Sequence, residues 1–229
     1  TAAVMRQDMG DSFELHAWDT VKGSDFLADQ NVVDFFVHEM PQEILHLDHW
    51  GIPWSRTEDG RIAQRPFGGH SYPRAVFASD KTGFLEMQTL YDTLMKHTKR
   101  INRYDEGFVT SILIENNRFA GLTMIDMING KQVLIRGKAL IIATGGAGQI
   151  FGFTTYSETV TGDGLAMAYR AGLALKDMEF VQFHPTGLIP SGILMTEACR
   201  GEGGTLLNSN GDRFMGSYAP SKMELAPRD

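Results

Sequence analysis

The spacing of apolar residues between positions 31 and 50 predicts helical structure. Apolar side chains recur three and four residues apart, which is the period of one helical face, at Val32, Val33, Phe36, Val37, Met40, Ile44 and Leu45. Pro41 has no backbone N–H, so we expect two helices here, the second beginning at Pro41 and ending at Gly51. The residues before them, 1–30, predict loop and a short helix.

A further helix is predicted from Gly83 to about Thr98. Thr82 can cap its first turn, and Leu85, Leu90 and Leu94 fall on one face that would point inward.

Residues 107–136 carry the pattern of an antiparallel β-meander. The loosely alternating run Val109–Ile114 is followed by the apolar run Ala120–Met127 and then by Val133–Arg136. Asn116-Asn117 and Asn129-Gly130 separate these runs. An Asn-Gly pair between apolar runs is a strong signal for a hairpin turn, so we predict three strands.

The next segment, Ala139–Ala143, is entirely apolar and predicts a strand buried on both faces, as in a parallel sheet. It ends in the glycine turn Thr144–Gly148, and such turns at strand ends can bring backbone N–H groups against phosphates. The turn is not a Gly-x-Gly-x-x-Gly loop, so its residues leave a cofactor contact and a simple tight turn equally open. A helix over Leu165–Ala171, closed by Gly172, and a short strand over Leu173–Leu175 follow.

Composition narrows the functional classes. Apolar residues make up 42% and charged residues 21% of the 229 positions, so we expect a packed core. The formal net charge is −7 without a basic run, which argues against nucleic acid as a partner. No apolar segment reaches the roughly 18–20 residues that span a bilayer. Cys199 is the single cysteine, so an internal disulfide is impossible and a reducing compartment is expected.

Candidate chemistry concentrates between Glu179 and Gly204. This stretch places His184, Thr196, Glu197 and Arg200 among glycines, which suits a site for a small, charged, oxygen-rich molecule. The residues themselves also fit a hydrogen-bonded structural histidine and a surface charge cluster.

Asp163 and four histidines could be functional, but structural roles explain them as well. Asp163, between two glycines at a predicted helix start, either complements the helix dipole or accepts from a sugar hydroxyl. Four other histidines, His16, His38, His46 and His49, are interpreted as solvent-facing helix residues rather than as metal ligands, and no metal site is predicted.

The sequence resembles the flavoprotein subunit of succinate dehydrogenase and fumarate reductase along essentially its whole length. The motifs that carry the resemblance, in chain order, are Lys22–Leu27, Trp54–Gly60, Phe67–Gly69, Asp80–Gly83, Ala143–Gly148, Thr161–Gly164, Phe180–Gly187, Leu194–Gly204 and Leu225–Asp229. The order of so many motifs is far more specific than any one of them.

The resemblance implies an α/β fold in two parts. Residues 1–178 would form a Rossmann-like FAD-binding domain with the antiparallel β-meander inserted, and residues 179–229 would begin an α+β capping domain. The chain lacks a starting Met, a signal peptide and a closing element, so we expect a segment of a longer protein. The dinucleotide loop and the histidine that links the flavin covalently would precede Thr1.

The resemblance also implies roles for individual residues. His184 and Thr196 would hold a carboxylate of the dicarboxylate substrate, and Phe67 would line the site. Arg228 would transfer the proton, with Glu197 in the relay that feeds it. The FAD would face Ala143, Thr144, Gly145, Gly146 and Asp163. Cys199 would lie close to the active site, and a second substrate-binding His and Arg would follow Asp229.

By the same resemblance, the partners would be an iron–sulfur subunit and membrane-anchor subunits at the cytoplasmic face of a membrane. L-aspartate oxidase, which shares a Leu-Ala-Pro-Arg-Asp stretch, is one alternative. The Lys22–Asp25 segment, the match through residues 54–69 and the Gly204 position favour the dehydrogenase. A flavin-free binding or assembly module is the alternative from another class.

Overall fold

The computed structural model describes residues 2–226. The chain divides into two compact units. The first unit comprises the residues up to Arg100 together with those from Thr196 onward, and the second unit comprises Ile101–Met195.

The helices are α1 (Phe13–Gly23), α2 (Gln30–Trp50), α3 (Thr82–Met95), α4 (Asp163–Arg170), α5 (Ala198–Gly201) and α6 (Met215–Tyr218). The strands are β1 (Gln64–Arg65), β2 (Ala75–Val76), β3 (Gly107–Glu115), β4 (Arg118–Asp126) and β5 (Lys131–Arg136). Short 3₁₀ turns lie at Gln7–Met9, Thr98–Arg100, Gly148–Ile150 and Met223–Leu225.

Helix α2 is continuous through Pro41, so the predicted pair of helices is wrong. Pro41 removes the bond from its own nitrogen to the carbonyl of Val37 and its ring crowds that carbonyl, but the other hydrogen bonds of the helix remain. Val33, Val37 and Ile44 lie on both sides of Pro41 and are all buried, so both halves of the helix are anchored on one face. Gly51 ends the helix in the left-handed conformation, as predicted.

Helix α3 differs from its prediction at both ends. Thr82 is the first helical residue rather than the cap, and its Oγ accepts a hydrogen bond from the backbone N–H of Ala78 at 3.0 Å. The helix stops at Met95. Leu85 packs on the core, whereas Leu90 and Leu94 are 39% and 37% exposed. The buried face of α3 is therefore narrower than the spacing of these leucines predicted.

The core of the first unit brings α2 together with the segments around the small antiparallel sheet of β1 and β2. Its buried members are Ala3, Ile44, Ile52, Trp54, Ile62, Val76 and Ala78. The indole N–H of Trp54 donates to the carbonyl of Ile44 at 3.4 Å, so the one polar atom of that side chain is satisfied.

A buried ion cluster supports the same unit. Arg74 is fully buried and donates to Asp11 at 2.6 Å and to Asp19 at 2.5 Å. His16, predicted to face solvent, is buried at 3% exposure, so that prediction is wrong; α1 turns this position inward, with its ring 6.3 Å from that of His70. The other three histidines of that set are exposed, as predicted.

The predicted meander is confirmed in the second unit. Strands β3, β4 and β5 form a three-stranded antiparallel sheet in that order. Asn116 and Asn117 adopt φ values of 49° and 59°, which provides the left-handed turn between β3 and β4.

The apolar run Ala139–Ala143 is not a strand, so that prediction is wrong. Ile141 is 91% exposed, and residues 139–146 make no backbone–backbone hydrogen bond within the described part of the chain. A strand requires a ladder partner, and residues 2–226 supply none for this run. Leu173–Leu175 is likewise irregular, whereas α4 and the left-handed Gly172 that follows it form close to the predicted positions.

Candidate active site

Glu197 is the central acidic residue of the first unit. Its side chain is buried at the start of α5, and its Oε1 accepts a hydrogen bond from the backbone N–H of Gly68 at 3.1 Å. A Cβ atom at position 68 would lie 2.5 Å from that oxygen. Only a glycine therefore allows the Phe67–Gly68 backbone to approach the carboxylate this closely.

Arg200 lies one helical turn after Glu197 and is almost completely buried. Its Nη2 is 3.5 Å from Oε2 of Glu197, and its Nη1 donates to the backbone carbonyl of Glu224 at 2.5 Å. The Nε and Nη2 atoms have no hydrogen-bond partner among residues 2–226. The pair places a fixed cation beside a fixed carboxylate in a site shielded from water, where charges interact strongly.

Glu224 belongs to the same group of charges, although the sequence did not single it out. Its carboxylate accepts from Arg213 Nε at 2.8 Å, from Arg213 Nη2 at 2.6 Å and from the N–H of Leu206 at 3.3 Å. The hydrogen bonds from Arg213 lower the pKa of Glu224 to about 2, so this carboxylate is charged at neutral pH. Arg213 and Glu224 are eleven positions apart in the sequence, and no local sequence pattern predicts their contact.

Phe67 and Glu197 line a cleft of about 150 Å³ together with Arg65 and Leu225. Thr196 lies next to it, on an open cleft of about 460 Å³ that also includes Arg65. The guanidinium of Arg65 stacks over the ring of Phe77 at 4.7 Å. Three of the predicted site residues, Phe67, Thr196 and Glu197, therefore meet in the first unit.

His184 belongs to the second unit and is partly buried. Its Nδ1 lies 3.0 Å from the carbonyl of Thr186, and the hydroxyl of Thr186 donates to the carbonyl of Met195 at 2.8 Å. These contacts orient the ring and involve Nδ1 alone. The segment around His184 is irregular, without helix or strand.

The predicted flavin-facing residues also lie in the second unit. The loop Ala143–Gly146 is mostly exposed, and Gly145 adopts a φ of +70°. A side chain at Gly164 would collide with Thr144, so the loop packs directly against the start of α4. The hydroxyl of Thr161 donates to the exposed carboxylate of Asp163 at 2.5 Å.

A glycine-rich loop packed on a helix N-terminus suits the phosphates of a nucleotide cofactor, because backbone N–H groups converge there without side-chain obstruction. The residues present therefore fit a cofactor such as FAD.

Arg228 lies outside the described residues. Within residues 2–226, no group of three or more His, Cys, Asp or Glu side chains could hold a metal ion. No helix in the same part of the chain combines the length and apolar character needed to cross a membrane.

This chain is similar to known flavoprotein subunits along its length. The fumarate reductase flavoprotein subunit of Mycobacterium tuberculosis is 50% identical over all of this chain, which corresponds to 40% of that protein. The succinate dehydrogenase flavoprotein subunit of Rickettsia bellii is 44% identical over 96% of this chain and 38% of its own length. The chain therefore spans about 40% of the curated relatives that it matches.

The solved structures agree as well. An Escherichia coli quinol fumarate reductase flavoprotein superposes with a TM-score of 0.95 at 47% identity, over all of this chain and 40% of that one. The fold therefore resembles that flavoprotein, with mixed helices and small antiparallel sheets. A family model described as an FAD binding domain matches residues 1–229, and the chain accordingly belongs to the FAD-binding domain family.

Proposed function

We propose that the chain is part of a flavoprotein subunit that interconverts succinate and fumarate. The observation that carries this proposal is the buried Glu197, held by the N–H of Gly68 and by Arg200 beside Phe67 and Thr196. The identity of 50% with a fumarate reductase flavoprotein subunit across the whole chain supports it.

The FAD would be held in part by the loop Ala143–Gly146 and by Asp163 at the start of α4. When bound, FAD exchanges a hydride with one methylene carbon of the dicarboxylate. The exposed loop backbone can meet the cofactor's phosphates, and the Asp163 carboxylate can accept from a sugar hydroxyl. We assign residues 1–178 to a Rossmann-like FAD domain and 179–229 to the start of a capping domain.

His184 and Thr196 would bind a substrate carboxylate, and Phe67 would form an apolar wall of the same site. The orientation of the His184 ring by Thr186 and the exposed position of Thr196 on its cleft support these roles. Polar groups that hold the carboxylates stabilise the negative charge that develops when a hydride adds to fumarate.

The proton would pass through Glu197 to Arg228. An arginine is ordinarily charged at every physiological pH and releases a proton readily only where neighbouring cations disfavour its charged form. Arg200 is a cation beside Glu197, the other residue of the proposed relay. In fumarate reduction, Arg228 would give a proton to one carbon while the hydride reaches the other, and Glu197 would then restore the proton on Arg228.

The partners would be an iron–sulfur subunit, which takes the electrons, and membrane-anchor subunits. Their presence would place the complex at the cytoplasmic face of a membrane. A solved relative described as quinol-fumarate reductase with menaquinol molecules, 48% identical to this chain, supports a quinone-linked assembly.

The test uses the full-length protein with Arg228→Lys and Arg228→Gln. We expect each variant to lose succinate–dye reductase activity by more than about a hundredfold, because general acid–base catalysis is removed, while the flavin absorbance stays. Arg118→Gln, on the exposed end of the meander, is the control and should keep full activity.

Retained turnover in the Arg228 variants would contradict the assignment of this residue. Oxidation of L-aspartate in place of succinate would support an L-aspartate oxidase, and a colourless wild-type protein would support a flavin-free module. Malonate should inhibit the wild-type enzyme.

A further inference from the structure

The turn Met223–Leu225 has a strained backbone. Met223 adopts a φ of +49°, a left-handed conformation that side chains other than glycine rarely take. Such strain persists only where surrounding contacts determine the conformation, and it is concentrated at functional segments. The turn lies three residues before Arg228 in the sequence.

Glu224 supplies the contacts that hold this turn. Its carboxylate is 5% exposed and accepts two hydrogen bonds from Arg213 and one from the N–H of Leu206. Two parallel N–H groups of a guanidinium fix the direction of a carboxylate as well as its distance. The side chain of Glu224 is therefore anchored to a neighbouring segment of the first unit.

The main chain of Glu224 faces Arg200. Its carbonyl accepts from Arg200 Nη1 at 2.5 Å, and this bond positions the guanidinium whose Nη2 lies 3.5 Å from Glu197. Arg200 has no hydrogen-bond partner for its Nε or Nη2 within residues 2–226, so the carbonyl of Glu224 is its principal anchor. A displacement of Glu224 would therefore displace Arg200.

We propose that Glu224 is a positioning residue for the proton-transfer machinery, acting through its ion pair with Arg213. It holds Arg200 at the carboxylate of Glu197 and fixes the turn Met223–Leu225, which precedes Arg228 in the sequence. This inference rests on the proposed function, because it assigns proton transfer to Glu197 and Arg228.

The test compares Glu224→Gln, Glu224→Asp and Arg213→Gln in the full-length flavoprotein. We expect Glu224→Gln and Arg213→Gln to lower kcat about tenfold to a hundredfold, with KM and flavin absorbance unchanged. Glu224→Asp should recover most of the loss, because it restores the charge opposite Arg213. Removing the Glu224 charge leaves Arg213 as an uncompensated cation, so the pH profile of kcat in Glu224→Gln should shift to lower pH.

Asp48→Asn is the matched control, because Asp48 forms a 2.6 Å ion pair with Arg56 in the same unit and has no part in the site. It should keep kcat and the pH profile. The proposal would be overturned if the loss of kcat in Glu224→Gln only matched a loss of bound flavin or of folded protein. In that case the pH profile would not shift.

Hydrogen–deuterium exchange gives a readout that does not depend on turnover. In Glu224→Gln, the amides of residues 198–206 and 223–226 should exchange faster than in the wild type, and unchanged exchange would overturn the proposal. An inactive wild-type protein would refute the proposed function, and the exchange result would still decide whether Glu224 braces Arg200.

Discussion

At the scale of single residues, one buried carboxylate connects the predicted substrate wall to a network of cations. Glu197 accepts from the N–H of Gly68 on one side and pairs with Arg200 on the other. A charged carboxylate that accepts from an N–H group forms a charge-assisted bond, which is stronger than a bond between neutral groups. Its orientation therefore depends on a backbone atom of a residue that has no side chain.

Gly68→Ala tests this dependence. The new methyl group would collide with Oε1 of Glu197, so we expect loss of a hydrogen bond to a buried charge, which costs about 1–3 kcal/mol of unfolding free energy. Turnover of the full-length protein should fall at least tenfold. Gly23→Ala is the control, because a Cβ at this last residue of α1 meets no atom within 4 Å, and it should leave turnover unchanged. Equal activity in the two variants would refute the proposed contact.

His16 predicts a dependence of stability on pH. Burial, followed by the nearby charge of Arg74, lowers the pKa of His16 to about 4 from 6.5. The unfolded chain therefore takes up this proton below about pH 6.5 while the folded chain stays neutral until about pH 4. The contribution of neutral His16 to the free energy of unfolding is fully present above pH 6.5. It is lost as the pH falls from 6.5 to about 4, by up to about 3 kcal/mol.

The measurement is the midpoint of thermal unfolding between pH 4 and pH 7 for the wild type and for His16→Gln. The variant should lose less stability on acidification than the wild type. Parallel curves would show that His16 is not held neutral in the folded protein.

At the scale of elements, α2 shows how packing overrides a local breaker. A proline inside a helix costs about 3 kcal/mol relative to alanine, yet α2 runs through Pro41 without interruption. Val33, Val37 and Ile44 are buried along one face of the helix, and this burial offsets the cost of the proline. The element is set by its apolar face rather than by local propensity.

Pro41→Ala should therefore stabilise the first unit. The substitution restores the N–H that can bond to the carbonyl of Val37 and removes the ring clash, so we expect a gain of roughly 1–3 kcal/mol. Chemical denaturation checks the gain. Glu39→Ala, at an exposed position of the same helix, controls for alanine propensity and should change stability by a few tenths of a kcal/mol. A destabilised Pro41→Ala would mean that the ring itself contributes essential packing.

At the scale of the whole molecule, the described residues expose many large apolar side chains. Both units contain residues that are at least 60% exposed, among them Phe35, Phe84, Met87, Ile141 and Phe183. Soluble monomers rarely expose extensive apolar patches, and such patches mark surfaces that other polypeptide covers. The chain spans about 40% of the length of its relatives. Exposed apolar side chains are expected where the remaining part of such a protein would pack against them.

The 229-residue chain produced alone should bind a hydrophobic dye such as ANS and should self-associate. The full-length protein at the same concentration should do neither, because more of this apolar surface is then covered. Dye fluorescence and size-exclusion chromatography provide the measurement. A monomeric 229-residue chain without dye binding would contradict the exposure described above.

Local signals in the sequence determined the elements that depend on neighbouring residues only. The meander formed where its runs and asparagine turns predicted, because a hairpin brings together strands adjacent in the chain. The left-handed glycines at positions 51 and 172 ended helices for the same local reason. The order of motifs along the chain was enough to indicate the family.

Tertiary structure decided everything that joins distant positions. Gly68 and Glu197 meet although 129 positions separate them, and Arg200 reaches Glu224 across 24. The run Ala139–Ala143 has a strand's composition but no partner for its backbone, so it is not a strand within residues 2–226. Local propensity limits which secondary structures a segment can form. Hydrogen-bond partners, burial and paired charges come from distant parts of the chain and decide which of them it adopts.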